Sequence, residues 1–351
     1  MPLLPSIFLW SRRHRHLHLT RIAFPVLPQL HYHSKNLVDL QLHESYFSIE
    51  LLTDALSGLA RLRSLSLHFP STTNHVFISS QPNQHVVLPS KLPALTRFDF
   101  RGIAEYLECL VHRLDTPCLA DIEITLFDIL SFDLSRLGEF INRTGMHKSH
   151  QQARILSSYR EISISLMQQH EVSTCLKCRL FSALLSEQLS AMSQIFRHLS
   201  PFLINVEDLR IRAARPLSPV DSLCNGQWSG LIASFAGVKW LHLDGNGLAY
   251  IERALQKSGS RRRHKTVLVP ALCKLYLPQP GFRHAPLSKA VVSFVTLRWR
   301  SGHPIGVEYE RLCLPGTLFA PYFYYLLTCL EQDLHLSRSR LIMRCSPTTS
   351  F

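Results

Sequence analysis

"LPALTRFDFRGIAEYLECLVHRLDTPCLADIEITLFD" (92–128) carries one six-residue phrase twice: Leu95-x-x-Phe98-x-Phe100 and, 24 residues later, Leu119-x-x-Ile122-x-Ile124. Between the copies, "AEYLECLVHRLDTPC" predicts a helix stopped by a proline. A strand and a helix that return at such a period are the mark of a repeat array.

The phrase recurs beyond this stretch, as Leu37-x-x-Leu40-x-Leu42, Leu62-x-x-Leu65-x-Leu67, Tyr159-x-x-Ile162-x-Ile164, Val206-x-x-Leu209-x-Ile211, Val238-x-x-Leu241-x-Leu243 and Leu272-x-x-Leu275-x-Leu277. A poorer copy, Leu27-x-x-Leu30-x-Tyr32, precedes them. The start-to-start intervals from Leu37 are 25, 33, 24, 40, 47, 32 and 34 residues. Two-residue alternation turns the fourth and sixth positions inward and the fifth outward. One strand and one helix cannot cover such an apolar edge, so neighbouring units must stack. The phrase is the core of the leucine-rich repeat, whose usual period is about 20–29 residues. Here the intervals run long, and only "LHLDGNGL" (241–248), with Asp244, Gly245 and Asn246, approaches the asparagine turn of regular repeats. The expected fold class is α/β: an irregular leucine-rich-repeat solenoid with parallel strands on the concave side and helices outside.

The segments between phrases read as covering helices. "SIELLTDALSGLARL" (48–62) starts at a serine N-cap and is interrupted near Gly58; "DLSRLGEFINRT" (133–144) starts at an aspartate N-cap. "SEQLSAMSQIFRHLSPFL" (186–203) carries Leu189, Met192, Ile195, Phe196 and Leu199 before Pro201 stops it, and "LSKAVVSFVTLRWRSG" (287–302) ends at Gly302. Stripes at this spacing are the buried faces of helices. "PSTTNHVFISSQPNQHVVLPSK" (70–91), "MHKSHQQ" (146–152) and "QKSGSRRRHKT" (256–266) read as loops. Three regions are expected: a basic, histidine-rich segment over 1–36, a truncated first repeat in one reading; the repeat domain over 37–310; and an extension over 311–351.

Composition bounds the partners. With 46% hydrophobic and 18% charged residues, the 351-residue chain can bury a large core. A net charge of +13 favours acidic partners, but much of it sits in "SRRHRH" (11–16) and "SRRRHK" (260–265), read as solvated loops without interleaved aromatics. Nine scattered cysteines read as reduced thiols of a cytoplasmic or nuclear protein. "CLKC" (175–178) has zinc or redox spacing but no second half. "TLFAPYFYYLLTCL" (317–330) is too short for a membrane helix. "HRHLHL" (14–19) places His14, His16 and His18 on one side if it is a strand, without a carboxylate or cysteine set to complete a metal site. HExxH, GxSxG and GxxxxGK[ST] are absent. The chain therefore reads as non-enzymatic, without cofactor, metal or catalytic residues.

The opening block, with "LSGLARLRSLSLHF" (56–69), "FDLSRLGEFINRT" (132–144), "LSAMSQIFRHLSPFLINVEDLRI" (189–211) and "FVTLRWRSGHPIGV" (294–307), resembles the F-box-associated leucine-rich-repeat proteins of mushroom-forming fungi. The resemblance spans roughly 36–310. It implies repeats that hold a protein for a cullin–RING ubiquitin ligase, joined through an F-box to a Skp-type adaptor. In place of an F-box pattern, residues 1–36 offer "PLLPSIFLW" and a basic histidine run. The adaptor is expected to bind only if an F-box lies outside this chain or has diverged within it. The expected function is protein binding. A basic nucleic-acid-binding protein and a vestigial family member without a stable partner are the alternatives. The residues expected to face a partner lie between the apolar positions: Asp39, Gln41, Arg63, Ser66, Arg97, Asp99, Glu207, Arg210, Lys239, His242, Lys274 and Tyr276. Their mixed charge argues against a surface dedicated to phosphate.

Overall fold

The structure, a computed structural model, describes residues 15–21, 35–44, 47–70, 89–127, 134–144, 150–168, 174–182, 184–214, 225–248, 251, 269–278 and 289–309. The weak copy at Leu27, the 256–266 loop, most of the 70–91 loop and the 311–351 extension lie outside them.

Among the described residues twelve strands form one open sheet: β1 (His16–Thr20), β2 (Asp39–His43), β3 (Ser64–His68), β5 (Arg97–Ile103), β7 (Asp121–Phe127), β8 (Gln152–Ser157), β9 (Glu161–Met167), β10 (Thr174–Phe181), β11 (Asp208–Ala213), β12 (Trp240–Gly245), β13 (Lys274–Leu277) and β14 (Gly306–Tyr309). The two-residue strands β4 (Ser90–Lys91) and β6 (Leu114–Asp115) pair separately. The described helices are α1 (Ile49–Ser57), α2 (Ala104–His112), α3 (Ser135–Arg143), α4 (Leu185–Leu203), α5 (Asn225–Ala233) and α6 (Lys289–Arg300). The sheet order is β1-β2-β3-β5-β7-β10-β9-β8-β11-β12-β13-β14, and every pairing is parallel except those of β9.

Register explains the repeated phrase. The fourth positions line up as Leu40, Leu65, Phe98 and Ile122 across β2, β3, β5 and β7. The row continues through Leu176, Leu166, Ala153, Leu209, Leu241 and Leu275 to Val307. A second row runs through Leu42, Leu67, Phe100, Ile124, Cys178, Ile164, Ile155, Ile211 and Leu243. All of these side chains except Val307, which is partly buried and packs against them, share one buried cluster with the apolar faces of α1 to α6. Successive helices from α1 to α5 pack side by side.

Six of the phrases are also made the same way. Its first amide closes a turn on the carbonyl three residues back: Leu62 on Leu59, Leu95 on Leu92, Leu119 on Thr116, Val206 on Leu203, Val238 on Phe235 and Leu272 on Val269, at 3.0–3.3 Å. The carbonyl at its second position then accepts two successive amides of the next unit. Val38 takes those of Arg63 and Ser64; Arg63 those of Thr96 and Arg97; Thr96 those of Ala120 and Asp121; Glu207 those of Lys239 and Trp240; Lys239 those of Cys273 and Lys274, all at 2.8–3.0 Å. Backbones this close leave no room for a side chain at Gly237, where a Cβ would sit 2.1 Å from the Ile204 carbonyl oxygen.

Four expectations need correction. The copy at Tyr159 is not a parallel strand of the series: it falls in β9, antiparallel to both neighbours, with Tyr159 63% exposed. The unit in that place is His150-x-x-Ala153-x-Ile155, whose second carbonyl, that of Gln151, accepts the amides of Glu207 and Asp208 at 2.9 and 3.0 Å. His150 fills the first apolar position at 2% exposure. Second, Pro201 does not stop α4, which runs to Leu203 because Phe202 and Leu203 stay buried. Third, α3 begins at Ser135 after Leu134, which supplies no side-chain cap, and Asp133 lies outside the described residues. The buried Glu108 of α2 caps it instead, accepting from the amides of Arg136 and Leu137 at 3.0 and 2.9 Å. A carboxylate there meets orphan amides and the positive end of the helix dipole. Fourth, the basic histidine-rich segment, whose "SRRHRH" (11–16) reads as a solvated loop, carries a strand from its end: β1 holds His16–Thr20, with Leu17 and Leu19 packed on the core.

Two helix ends came out as read. Ser48 caps α1, accepting from the Leu51 amide at 3.4 Å. Gly302, at φ 80°, ends α6 in a Schellman turn in which His303 donates to the Arg298 carbonyl and Gly302 to that of Trp299, both at 3.0 Å. Arg298 is itself 1% exposed and donates to the carbonyls of Val269, Pro270 and Leu272 at 3.2, 3.3 and 2.8 Å, tying α6 to the turn before β13.

Candidate functional site

Alternation that buries one face of the sheet leaves the other to polar side chains, which the register sets in rows. One row runs His18, Gln41, Ser66, Asp99, Glu123, Lys177, Ser165, Arg154, Arg210, His242, Tyr276 and Glu308, one residue per strand. A neighbouring row holds Thr20, His43, His68, Arg101, Thr125, Arg179, Ser163, Leu156, Arg212 and Asp244. Of the residues singled out in the sequence, Asp39, Gln41, Ser66, Arg97, Asp99, Arg210, His242, Lys274 and Tyr276 lie on this face. Arg63, Glu207 and Lys239 stand one residue ahead of their strands, at the sheet's rim. There Lys239 pairs with Glu207 at 2.6 Å, and Arg63 lines an open groove of about 850 Å³ with Arg15, Arg61 and Asn36.

The β1–β5 end of the face is a histidine ladder. The His18 and His43 rings meet edge to face at 4.5 Å between centroids, and His43 stacks on His68 at 4.4 Å. His68 Nε2 lies 2.8 Å from Asp99 Oδ2 and 3.1 Å from Ser66 Oγ, which donates to the same carboxylate oxygen at 3.3 Å. The three residue types match a catalytic triad, but the geometry does not. A triad needs the serine and the carboxylate on opposite ring nitrogens; here both converge on one. Burial, with the charges of His68 and His18, holds His43 below the ordinary imidazole value. Burial also pushes the Asp99 carboxyl up, but hydrogen bonds from His68 and Ser66 outweigh it and leave the group low.

Past β7 the character changes. Glu123 on β7 receives Arg179 Nη2 at 2.7 Å and Lys177 Nζ at 3.3 Å from β10. The "CLKC" stretch lies on this strand. Residues three apart in a strand are about 10 Å distant, beyond the Cα separation of about 4.4–6.8 Å that a disulfide spans. Cys178 faces the core, where burial pushes its thiol up to about 12, so it is no ready thiolate. Among the described residues no group of three His, Cys, Asp or Glu side chains is placed to hold a metal ion.

At the β11–β14 end, His242 stacks on Tyr276 at 4.1 Å, and its Nε2 lies 3.4 Å from Asp208. Burial lowers the His242 pKa although Asp208 opposes it. Lys274 pairs with Glu308 at 2.8 Å, and that hydrogen bond raises the lysine's pKa.

Reading the phrases alone missed Glu123, Lys177, Arg179, Arg154 and Arg212. Glu123 sits inside a phrase already recognised, between Ile122 and Ile124. In "TCLKCRLF", the alternation of Leu176, Cys178 and Leu180 was the available signal, obscured by its metal-like spacing. No family model matches the chain, and no curated protein is significantly similar to it. Among the described residues no helix is long and apolar enough to cross a membrane.

Proposed function

We propose that this chain is an irregular leucine-rich-repeat protein, without enzymatic activity, that binds another protein on the polar face of its sheet in the cytoplasm or nucleus. The repeated junction carries the reading. In unit after unit, the second carbonyl of the phrase accepts two amides of the next, and the fourth and sixth positions enter common apolar rows. Stacked units leave a broad face whose side chains are free of packing duties, and repeat proteins bind partners on such surfaces. The face mixes acids, bases, imidazoles and hydroxyls in short alternation, which suits a protein partner better than a uniform polyanion. The sequence resemblance to F-box-associated repeat proteins supports a role in selecting proteins for ubiquitination.

The test is photo-crosslinking in the cell. A benzophenone side chain placed at Gln41 or Ser165, on the polar face, should yield protein adducts. The same group at Glu139 or Arg197, exposed on α3 and α4, should not. Adducts confined to the helical side, or adducts removed by nuclease, would overturn the proposal.

A further inference from the structure

Ionic partners are matched across most of the polar face: His16 with Asp39, Arg97 with Asp121, Lys177 and Arg179 with Glu123, and Lys274 with Glu308. Arg101 on β5 stands alone without an ion pair among the described residues, but unmatched arginines cluster where β8 meets β11. Arg154 and Arg210 are register neighbours there, and Arg212, two residues on, stands opposite Leu156. Adjacent strands are about 4.8 Å apart, and like charges set directly opposite one another destabilise a sheet. Among the described residues Arg210 reaches only Asp208, at 3.8 Å, and that carboxylate also faces His242 at 3.4 Å. Arg154 and Arg212 are exposed and form no ion pair with any described residue; Asp244, the register neighbour of Arg212, makes none with it. Between them Leu156 is 39% exposed. Three guanidinium groups around an open leucine form a surface that lacks its anions.

We propose that Arg154, Arg210 and Arg212 seat an acidic segment of the partner protein. Its carboxylates lie on the guanidinium forks, which match carboxylate geometry in two-pronged hydrogen bonds, and an apolar side chain lies on Leu156. The proposal rests on the reading that the polar face binds a protein, and it names the chemistry of what that face holds. A nucleic-acid backbone fits less well. Asp208 and Asp244 border the patch on the β11–β12 side and Glu123 lies beyond it on β7, so a continuous run of phosphates leaving the arginines meets carboxylates.

The experiment is fluorescence anisotropy of a fluorescein-labelled peptide of alternating glutamate and leucine, titrated with the full chain at low salt. Binding should weaken at least about tenfold, the value of one charge-assisted hydrogen bond, in the Arg154→Ala/Arg212→Ala double variant. Added salt should weaken it as well, and a glutamine-for-glutamate peptide should not bind. The double variant should melt at or above the parent temperature, because a like-charge contact is relieved, so a loss of binding reads the site and not unfolding. Equal affinity in the double variant, or equal binding of the glutamine peptide, overturns the proposal. So does tighter binding of a single-stranded oligonucleotide of the same charge through the same arginines. Protein adducts from Gln41 or Ser165 without peptide binding sink the acidic-segment proposal alone, whereas adducts only from the helical side sink the binding face itself.

Discussion

The strands β2, β3, β5 and β7 and the strands β8, β9 and β10 occupy one sheet and share its apolar rows, yet they are assembled by different rules. In the first group each unit lies beside its predecessor in the chain, and parallel pairing is imposed by the helix or loop that returns the backbone to the same edge. In the second, β8 is laid down with a two-strand gap between it and β7, and the chain then doubles back through β9 and β10 to fill that gap. The β8–β9 turn closes with Ser158 donating from its amide to the Glu161 carbonyl at 2.8 Å. One reversed strand fits without breaking the rows because alternation has no direction: Leu166 and Ile164 enter the core whichever way the chain runs. What a parallel unit has and β9 lacks is the buried first position.

Several substitutions would break or sharpen this contrast. The largest effect belongs to the regular run. Phe98 is 0% exposed and packs near Phe100 and Phe140. Phe98→Ala should cost about 3–5 kcal/mol in chemical denaturation. Arg97→Ala, one residue away on the polar face, should cost no more than about 1 kcal/mol, the value of an exposed ion pair. Equal losses would show that the phrase does not mark a strand with one buried side.

Next comes the joint between the two regions, where Glu108 of α2 caps α3. Glu108→Gln keeps the shape but removes the charge facing two helix-terminal amides, and should cost about 1–3 kcal/mol. Hydrogen exchange should show the loosening first in α3. A variant as protected there as the parent would place the cap elsewhere.

His150 offers a gain. It occupies a site that Leu37, Leu62 and Leu95 fill in other units, and neither ring nitrogen has a hydrogen-bond partner among the described residues. His150→Leu should stabilise by about 1–2 kcal/mol at neutral pH, by removing an unsatisfied buried polar group. Burial holds the folded imidazole below its ordinary value of 6.5. The unfolded chain therefore takes up the proton first, and stability falls as pH drops below about 6.5, levelling off below the folded value. Melting curves from pH 7.5 to 5 should show a shallower decline in His150→Leu than in the parent; parallel declines would acquit His150.

The smallest effect is expected at Tyr159, which stands where a first apolar position was expected. Tyr159→Ser should stay within about 0.5 kcal/mol of the parent, as an exposed surface change does. Leu119→Ser, at a true first position 1% exposed, should be severe.

Much of this was legible in the sequence, and particular residues show where it stopped. The phrases at Leu37, Leu62, Leu95, Leu119, Val206, Val238 and Leu272 mark strands of the sheet, because a strand with one buried face must alternate. The phrase at Tyr159 alternates too and therefore reads as an eighth parallel unit, although it is the reversed arm of a hairpin. His150-x-x-Ala153-x-Ile155 went unread because an imidazole and a methyl group do not look like a core pair, although burial treats them as one. Glu108 could not be identified as a cap from its own helix, since the amides it satisfies belong to the next.

The sequence by itself determined which residues of the seven parallel phrases form the apolar side, that strand and helix alternate along them, and where Ser48 and Gly302 bound their helices, because these follow from local periodicity and from backbone preferences of single residues. Only the tertiary structure decided the order and direction of β8, β9 and β10, and the meeting of Arg154 with Arg210 across strands more than fifty residues apart in the chain. Strand neighbours are chosen by which apolar edges are left open once each unit has docked, and that choice is a property of the assembled core rather than of any segment.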